Sequence, residues 1–429
     1  MSVHYTAPCF SANNTRRHGR PPLSEFSLLA SANFALSLIP IRLAHRLAAL
    51  RSLPFIVVSN PQISKIYNYY THSLATLLPY SNRTIKTLEE EAQFTDVMAD
   101  LVQTHANTIP ILARGFLECR KYVSPETVTK FLDEHLRARI GTRLIAEQHI
   151  ALHCSSQPHC PPNAPKASSL APSSHPAKQN QQQQQQLEDT HIGVIDTALA
   201  PANTIRHCES FVGEVCELRY GVRPSVQING NLDARIAYVP THLEYILTEL
   251  LKNAFRATVE NGKEREPVEV TIAASSRSAS SSPSRSSSPF GSGQRETPGG
   301  GAITLRIRDR GGGIPPSVLP SVWAYSFTTF NEDEASSRSA NIPFAASSPT
   351  SSASKSNPAD RTFAALNMLS QTAGGGGGGV GGQSSLAGLG YGLPLGRAYA
   401  EHFGGGIEME SLWGWGTDVY LRVKGLDGF

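Results

Sequence analysis

The stretch "TELLKNAFRATVE", residues 248–260, decides how the rest of the chain is read. Leu243, Ile246, Leu247, Leu250, Ala254 and Ala257 recur at helical spacing and form one apolar face. Glu249 and Asn253 lie four residues apart, so they sit one above the other beside that face, with Lys252 and Arg256 flanking them. A solvated helix face carries such a stripe just as well as a catalytic site does. The choice depends on what else the chain supplies.

Three later stretches supply it. In "RIRDRGGGIPPSV", residues 306–318, a strand ends at Asp309 and runs into Gly311, Gly312 and Gly313, a turn expected to need glycine at positive φ. Such a turn lets a carboxylate approach a flat heteroaromatic base and accept from its exocyclic amine. In "AGLGYGLPLGRAYAEHFGG", residues 387–405, Gly388, Gly390 and Gly392 alternate before Leu393 opens a helix. Backbone amides of such a loop and the helix N-terminus suit phosphates. No strand precedes the run and no Gly-Lys-Ser/Thr follows, so it is neither a dinucleotide fingerprint nor a Walker loop. In "GWGTDVYLRVK", Gly416 and Thr417 lead into a final strand. Each signal is weak by itself.

Around these motifs the chain divides by composition. Residues 31–154 read as a bundle of four or so long helices punctuated by Pro54, Pro61, Pro79, Pro110 and Pro125, with Ser124 as an N-cap before Pro125. Residues 155–187 are Pro-, Ser- and Gln-rich and read as a low-complexity insertion. From 188 to 425 strands are expected in "IGVIDTAL", "SVQING", "ARIAYVP", "PVEVTIAAS", "AITLRIRDR" and "GTDVYLRVK", with helices at 200–219, 240–260 and 393–404. The fold class is therefore a helical domain followed by an α/β domain with a mixed sheet. Segments 275–300 and 331–386 carry Ser-, Arg- and Gly-rich runs and read as disordered loop expansions.

Composition narrows the function. The chain of 429 residues has a net charge of only +3, which gives no case for nucleic acid or a membrane surface. The most apolar early run, "LSLIPIRLAHRLAAL", is interrupted by Pro40, Arg42, His45 and Arg46, so no membrane insertion is expected. Six cysteines without regular spacing point to a reducing compartment. Residues 1–24 hold Arg16, Arg17 and Arg20 and no acid, the composition of a mitochondrial transit peptide; residues 1–30 are expected to be a disordered leader. His149 and His153 are four apart on a helix, but no third ligand is evident, and Cys154, His159 and Cys160 lie in or beside low-complexity sequence; neither group is read as a metal site.

Taken in order, the Glu249–Asn253 helix, the Asp309-x-Gly-x-Gly turn, the Gly-x-Gly-x-Gly loop and the Gly-Thr strand resemble the N, G1 and G2 boxes of the GHKL ATP-binding fold. "ELLKNAFRATVE", "DRGGGIP", "GYGLP", "RAYAEHFGG" and "GTDVYLRVKGLDG", with "RLAHRLAALRSLPFIVVSNPQI" and "RLIAEQHIALH" in the helical half, are similar to the mitochondrial α-ketoacid dehydrogenase kinases. The resemblance covers residues 38–153 and 188–428 and implies a four-helix bundle joined to an α/β-sandwich kinase domain. It also implies that Asn253 holds Mg²⁺ against the triphosphate, Asp309 bonds the adenine amine and Glu249 is the base that accepts the serine proton. Gly311, Gly313, Gly388, Gly390, Gly392, Leu393 and Thr417 would line the ATP site. In "SVWAYSFTTF", the start of an ATP lid, Val322, Ala324 and Phe327 would serve K⁺, and Thr328 and Thr329 would serve ATP. Further implied are phosphorylation and inactivation of an E1 subunit in the mitochondrial matrix, docking to a lipoyl-bearing E2 subunit, and a homodimer.

"RSLPFIVVSNP", "YSFTTF" and Tyr245, where pyruvate dehydrogenase kinases typically carry His, lean to the branched-chain type; "YVPTHL" leans to the pyruvate type. A histidine autokinase is a remoter reading, because none of the 14 histidines is followed by Asp or Glu. An Hsp90-like ATPase would need further domains after the ATPase, and a non-catalytic lipoyl-domain scaffold would not need Glu249, Asn253 and Asp309 together. Deleting residues 155–187 is expected to leave soluble yield unchanged, since that composition cannot offset its own ordering entropy. A collapse of soluble yield would make the stretch structural.

Overall fold

The computed structural model describes residues 23–81, 83–156, 190–274, 301–325, 327 and 390–426. Its first half is built from α1 (Glu25–Arg51), the short α2 (Phe55–Val58), α3 (Pro61–Ser81), α4 (Leu88–Thr104), α5 (Thr108–Glu118) and α6 (Pro125–Ser156). The long helices α1, α3, α4 and α6 pack on one another as a four-helix bundle, and α5 lies against α3.

Local chemistry sets the helix ends. Ser24 accepts from the Ser27 N–H at 3.3 Å and caps α1. Thr87 and Glu90 form a reciprocal capping box at the start of α4. The expected Ser124 cap is present, its hydroxyl accepting from the Thr127 N–H at 3.3 Å. Three sequence expectations need correction. Helix α1 begins at Glu25, inside the segment expected to be a disordered leader, and runs unbroken through Pro40. By length and composition α1 could cross a membrane, but half of its most apolar window is buried, with Ala32, Leu36, Ile39 and Leu43 in the core. Helix α6 runs on to Ser156, whose hydroxyl accepts from the Leu23 N–H at 2.9 Å, so Ser155 and Ser156 belong to the bundle rather than to the insertion.

The second half comprises β1 (His191–Ile192), β2 (Ile195–Leu199), α7 (Pro201–Tyr220), β3 (Val226–Gly230), β4 (Ile236–Tyr238), α8 (Pro240–Glu260), β5 (Val268–Ala274), β6 (Ala302–Arg308), α9 (Gly392–His402), β7 (Gly406–Leu412) and β8 (Gly416–Lys424). A small sheet has the order β1-β2-β4, and a five-stranded sheet the order β3-β5-β6-β8-β7. The β3–β5 pair is parallel and the other pairs of the larger sheet are antiparallel, giving the mixed sheet expected. Alternation explains its packing: Val268, Val270, Ile272, Ile303, Leu305, Ile307, Val419, Leu421 and Val423 are buried, while the residues between them are more exposed. Helices α7, α8 and α9 form the covering layer, with α8 in contact with both neighbours.

Two elements were not read from sequence as they stand. "IGVIDTAL" is a hairpin rather than one strand, bent at Gly193 with φ 63°. The edge strand β7, "GIEMESL", escaped notice although Ile407 and Met409 alternate with Glu408 and Glu410. Helix α9 joins the halves: Glu401 binds Arg137 of α6 at 2.7 Å. Gln148 of α6 adds a second join, donating to Ile192 O at 3.1 Å and accepting from the Val194 N–H at 2.9 Å. Gln148→Leu is expected to destabilise the fold by about 1–3 kcal/mol, because both hairpin groups lose their partner. Thermal unfolding with no change in Tm would show that water satisfies them equally well.

Candidate active site

Glu249 and Asn253 both project from α8, as their spacing requires. Glu249 is buried and Asn253, one turn on, is exposed. Lys252 donates to Glu249 Oε1 at 2.7 Å. Arg256 instead pairs with Glu260 at 2.8 Å. The other face of Glu249 meets Gly392, the first residue of α9: a Cβ there would overlap Oε2. Leu393 follows in the first turn and packs against the main core. Among the described residues no side chain caps this helix start, so its first amides have no capping partner there.

Asp309 follows the last residue of β6 and is 7% exposed. Its Oδ1 accepts from the Gly311 N–H at 2.8 Å and the Thr417 N–H at 3.2 Å, and its own N–H donates to Thr417 O at 3.0 Å. No bond to Oδ2 forms among the described residues. Burial pushes the carboxyl pKa up, and the two amide bonds oppose that shift. One oxygen is thus anchored and the other is left for an external donor.

The glycine turn differs from expectation in one respect. Gly312 and Gly313 have φ of 80° and 72°, but Gly311 does not adopt positive φ. Gly311 is needed for closeness: a Cβ would lie 2.7 Å from the Ala257 carbonyl carbon on α8. Gly313 packs under the Leu412 carbonyl, and Gly414 donates to Gly312 O at 2.8 Å, so the β7–β8 hairpin braces the turn. Ser411, which the sequence reading missed, accepts from the Ile314 N–H at 2.6 Å and lies 3.2 Å from the buried Thr417 hydroxyl. The alternation of β7 was the signal that could have located it.

At the lid, Val322 and Ala324 are half-buried around a 3-10 turn, Leu319–Trp323. Ala324 O accepts from the Phe327 N–H at 3.3 Å. Gly390, with φ 71°, sits so close to the Phe327 backbone that a Cβ would collide with it, so the two ends of the lid meet. Tyr325 and Tyr391 pack beneath them, ring centroids 5.3 Å apart. Thr328, Thr329 and Gly388 lie outside the described residues, as do all of 275–300 and 331–386.

The histidine pair on α6 has a third neighbour that the sequence did not reveal. Glu91 of α4, fully buried, binds His153 Nδ1 at 2.7 Å and lies 3.5 Å from His149 Nε2. Burial lowers the His149 pKa to about 4. His149 also bonds Ser31 and Thr95, so the cluster ties α1, α4 and α6 together. Among the described residues no group of His, Cys, Asp or Glu is arranged to hold a metal ion.

Comparison with known proteins agrees with this geometry. Residues 11–196 match the family described as mitochondrial branched-chain alpha-ketoacid dehydrogenase kinase, and residues 238–344 match the histidine kinase-, DNA gyrase B- and HSP90-like ATPases. Mitochondrial pyruvate dehydrogenase (acetyl-transferring) kinase 1 of Saccharomyces cerevisiae is 28% identical over 95% of this chain and 81% of its own. The Arabidopsis thaliana mitochondrial pyruvate dehydrogenase kinase is 25% identical over 94% and 87% respectively. Isozyme 4 of Mus musculus is 26% identical over 90% and 74%. The ATPase match begins two residues before α8 and takes in Glu249, Asn253 and the Asp309 turn. Along most of its length this chain is thus similar to the mitochondrial α-ketoacid dehydrogenase kinases, and its second half to ATPases of the GHKL class.

Proposed function

We propose that the chain transfers the γ-phosphoryl group of ATP to a serine of the E1 subunit of an α-ketoacid dehydrogenase complex in the mitochondrial matrix, and so inactivates that complex. The observation that carries this reading is the contact between Glu249 and Gly392. It sets a carboxylate against the N-terminus of α9, so a proton acceptor and an anion-binding helix start share one spot.

The donor set fits a nucleotide. Asp309 offers Oδ2 to an exocyclic amine while Gly311 and Thr417 fix Oδ1. Gly311, packed against Ala257, holds the turn close to α8. The α9 amides, Gly390 and Gly392 are the groups that would face the phosphates, and Gly388 is assigned with them from the motif alone. Asn253, with its exposed amide oxygen one turn from Glu249, is the group that would hold Mg²⁺, which when bound neutralises triphosphate charge. The carbonyls of Val322, Ala324 and Phe327 are the groups that would hold K⁺; oxygen donors suit that ion, although Ala324 O already accepts one backbone bond. Thr328 and Thr329 would complete the lid side.

In the transfer, the serine oxygen forms its bond to the γ-phosphorus as the bond to the β–γ bridging oxygen breaks, and ADP leaves. Glu249 accepts the serine proton. Gly392 confines the carboxylate, and Asp309 holds the adenine so that the phosphates reach α9.

Docking to a lipoyl-bearing E2 subunit is supported by the exposed Phe26, Phe55 and Ile56 on the helical half, and a homodimer by the exposed Leu412, Trp413 and Trp415 around the β7–β8 turn. The branched-chain complex is the favoured substrate on Tyr245 and the match of the N-terminal half. The pyruvate complex is the second reading, favoured by the names of the relatives.

Transfer from labelled ATP to each purified complex separates the two; no transfer to either would reject the proposal. Asp309→Asn is expected to weaken ATP binding about ten- to hundredfold, since an amide NH₂ would face the adenine amine. Asn253→Ala is expected to lose nucleotide binding and activity together. Glu249→Gln is expected to keep ATP affinity within about fivefold while turnover falls on the order of 10²–10⁴-fold. Near-normal turnover of Glu249→Gln in a single-turnover assay would return Glu249 to a purely structural role.

A further inference from the structure

Glu249 is held on both sides. Its Oε1 bonds the Lys252 ammonium at 2.7 Å, with the two side chains 11% and 16% exposed. Its Oε2 lies against Gly392. A carboxylate in that setting is costly to leave uncompensated, so the lysine offsets its burial. Yet a base whose Oε1 holds an ammonium is a weaker proton acceptor than a free carboxylate, and its Oε2 is hemmed in by the first residue of α9.

The location of Lys252 suggests how the base is released. Lys252 immediately precedes Asn253 on α8, and its ammonium is a compact charge on a flexible stem, able to change partner without moving the helix. Arg256, one turn further along, is engaged with Glu260 at 2.8 Å, so the α8 cation paired with the base is Lys252. A triphosphate held against the start of α9 brings several negative charges close to the single one on Glu249. At short range in a site sheltered from water, the more concentrated charge takes the ammonium.

We infer that Lys252 is a positioning residue shared between base and nucleotide: it clamps Glu249 in the empty enzyme and moves to the terminal phosphate when ATP binds, freeing Oε1 for the serine hydroxyl. The inference rests on Glu249 being the base and α9 the phosphate side. Nucleotide occupancy then unlocks the base, and without ATP the base stays weakened by its ion pair with Lys252.

Calorimetric binding of ATP and ADP, with Mg²⁺, to the full chain and to Glu249→Gln, Lys252→Met and the double variant tests this. Lys252→Gln is measured alongside and must agree with Lys252→Met. Lys252→Met is expected to weaken ATP about fivefold or more and ADP less than twofold, because only ATP carries the terminal phosphate. Glu249→Gln is expected to tighten ATP about two- to fivefold, the gain from a lysine no longer shared, and the gain is expected to vanish in the double variant. If the gain persists without Lys252, simple repulsion by the carboxylate explains it and the inference fails. It fails equally if Lys252→Met binds ATP like the unaltered protein. Retained turnover in Glu249→Gln would instead reject the base assignment, so the two failures are distinguishable.

Discussion

The contact of Gly311 with Ala257 is the constraint on which the site depends. It brings the turn after β6 against the side of α8 at a distance that no Cβ permits. Asp309 and the Glu249–Asn253 stripe come from segments separated by the whole of β5, the 275–300 segment and β6, and this contact sets their spacing. The hairpin of β7 and β8 presses the turn from the other side through Gly313, Gly414 and Ser411. Asp309 takes two amide bonds on Oδ1, and its burial raises the cost of leaving Oδ2 without a donor. A ligand that supplies that donor would recover the cost, the physical basis for the base recognition proposed at this position.

A second constraint links the nucleotide half to the bundle. Helix α9 begins at the candidate phosphate site, and near its end Glu401 binds both Arg137 of α6, at 2.7 Å, and Arg397 of α9 itself, at 2.7 Å. Arg397 in turn lies over the Trp323 ring, 4.9 Å from its centroid, at the root of the lid. The 3-10 turn, α9 and the bundle therefore share one charged cluster.

Much of this was legible in the sequence because the signals were local. Period and capping exposed the helices, and alternation exposed most strands. The glycines at 311, 312, 313, 390 and 392 marked backbone that a side chain would obstruct. What escaped was set by partners far along the chain. The role of Gly311 is a packing contact with α8, invisible in a turn motif that predicts positive φ equally for three glycines. Pro40 is accommodated inside α1 because the bundle holds that helix, although Pro and Arg in an apolar run read locally as a break. The β7 edge strand carries Glu408 and Glu410, so its alternation was overlooked, and Ser411 with it. Glu91 could not be paired with His149 and His153 from sequence, since nothing local tells α4 from α5 as the neighbour of α6.

The central claim is that α8, the glycine turn and α9 form one nucleotide site whose spacing the Gly311–Ala257 contact sets. The most direct measurement is calorimetric titration of Mg²⁺-ATP into the Gly311→Ala chain, with circular dichroism confirming that it is folded. The account predicts a folded protein whose ATP affinity falls at least about tenfold, since the turn must move off α8 to admit the methyl group. Unaltered ATP affinity in the folded variant would contradict it, because the spacing of Asp309 from α8 would then be irrelevant to binding.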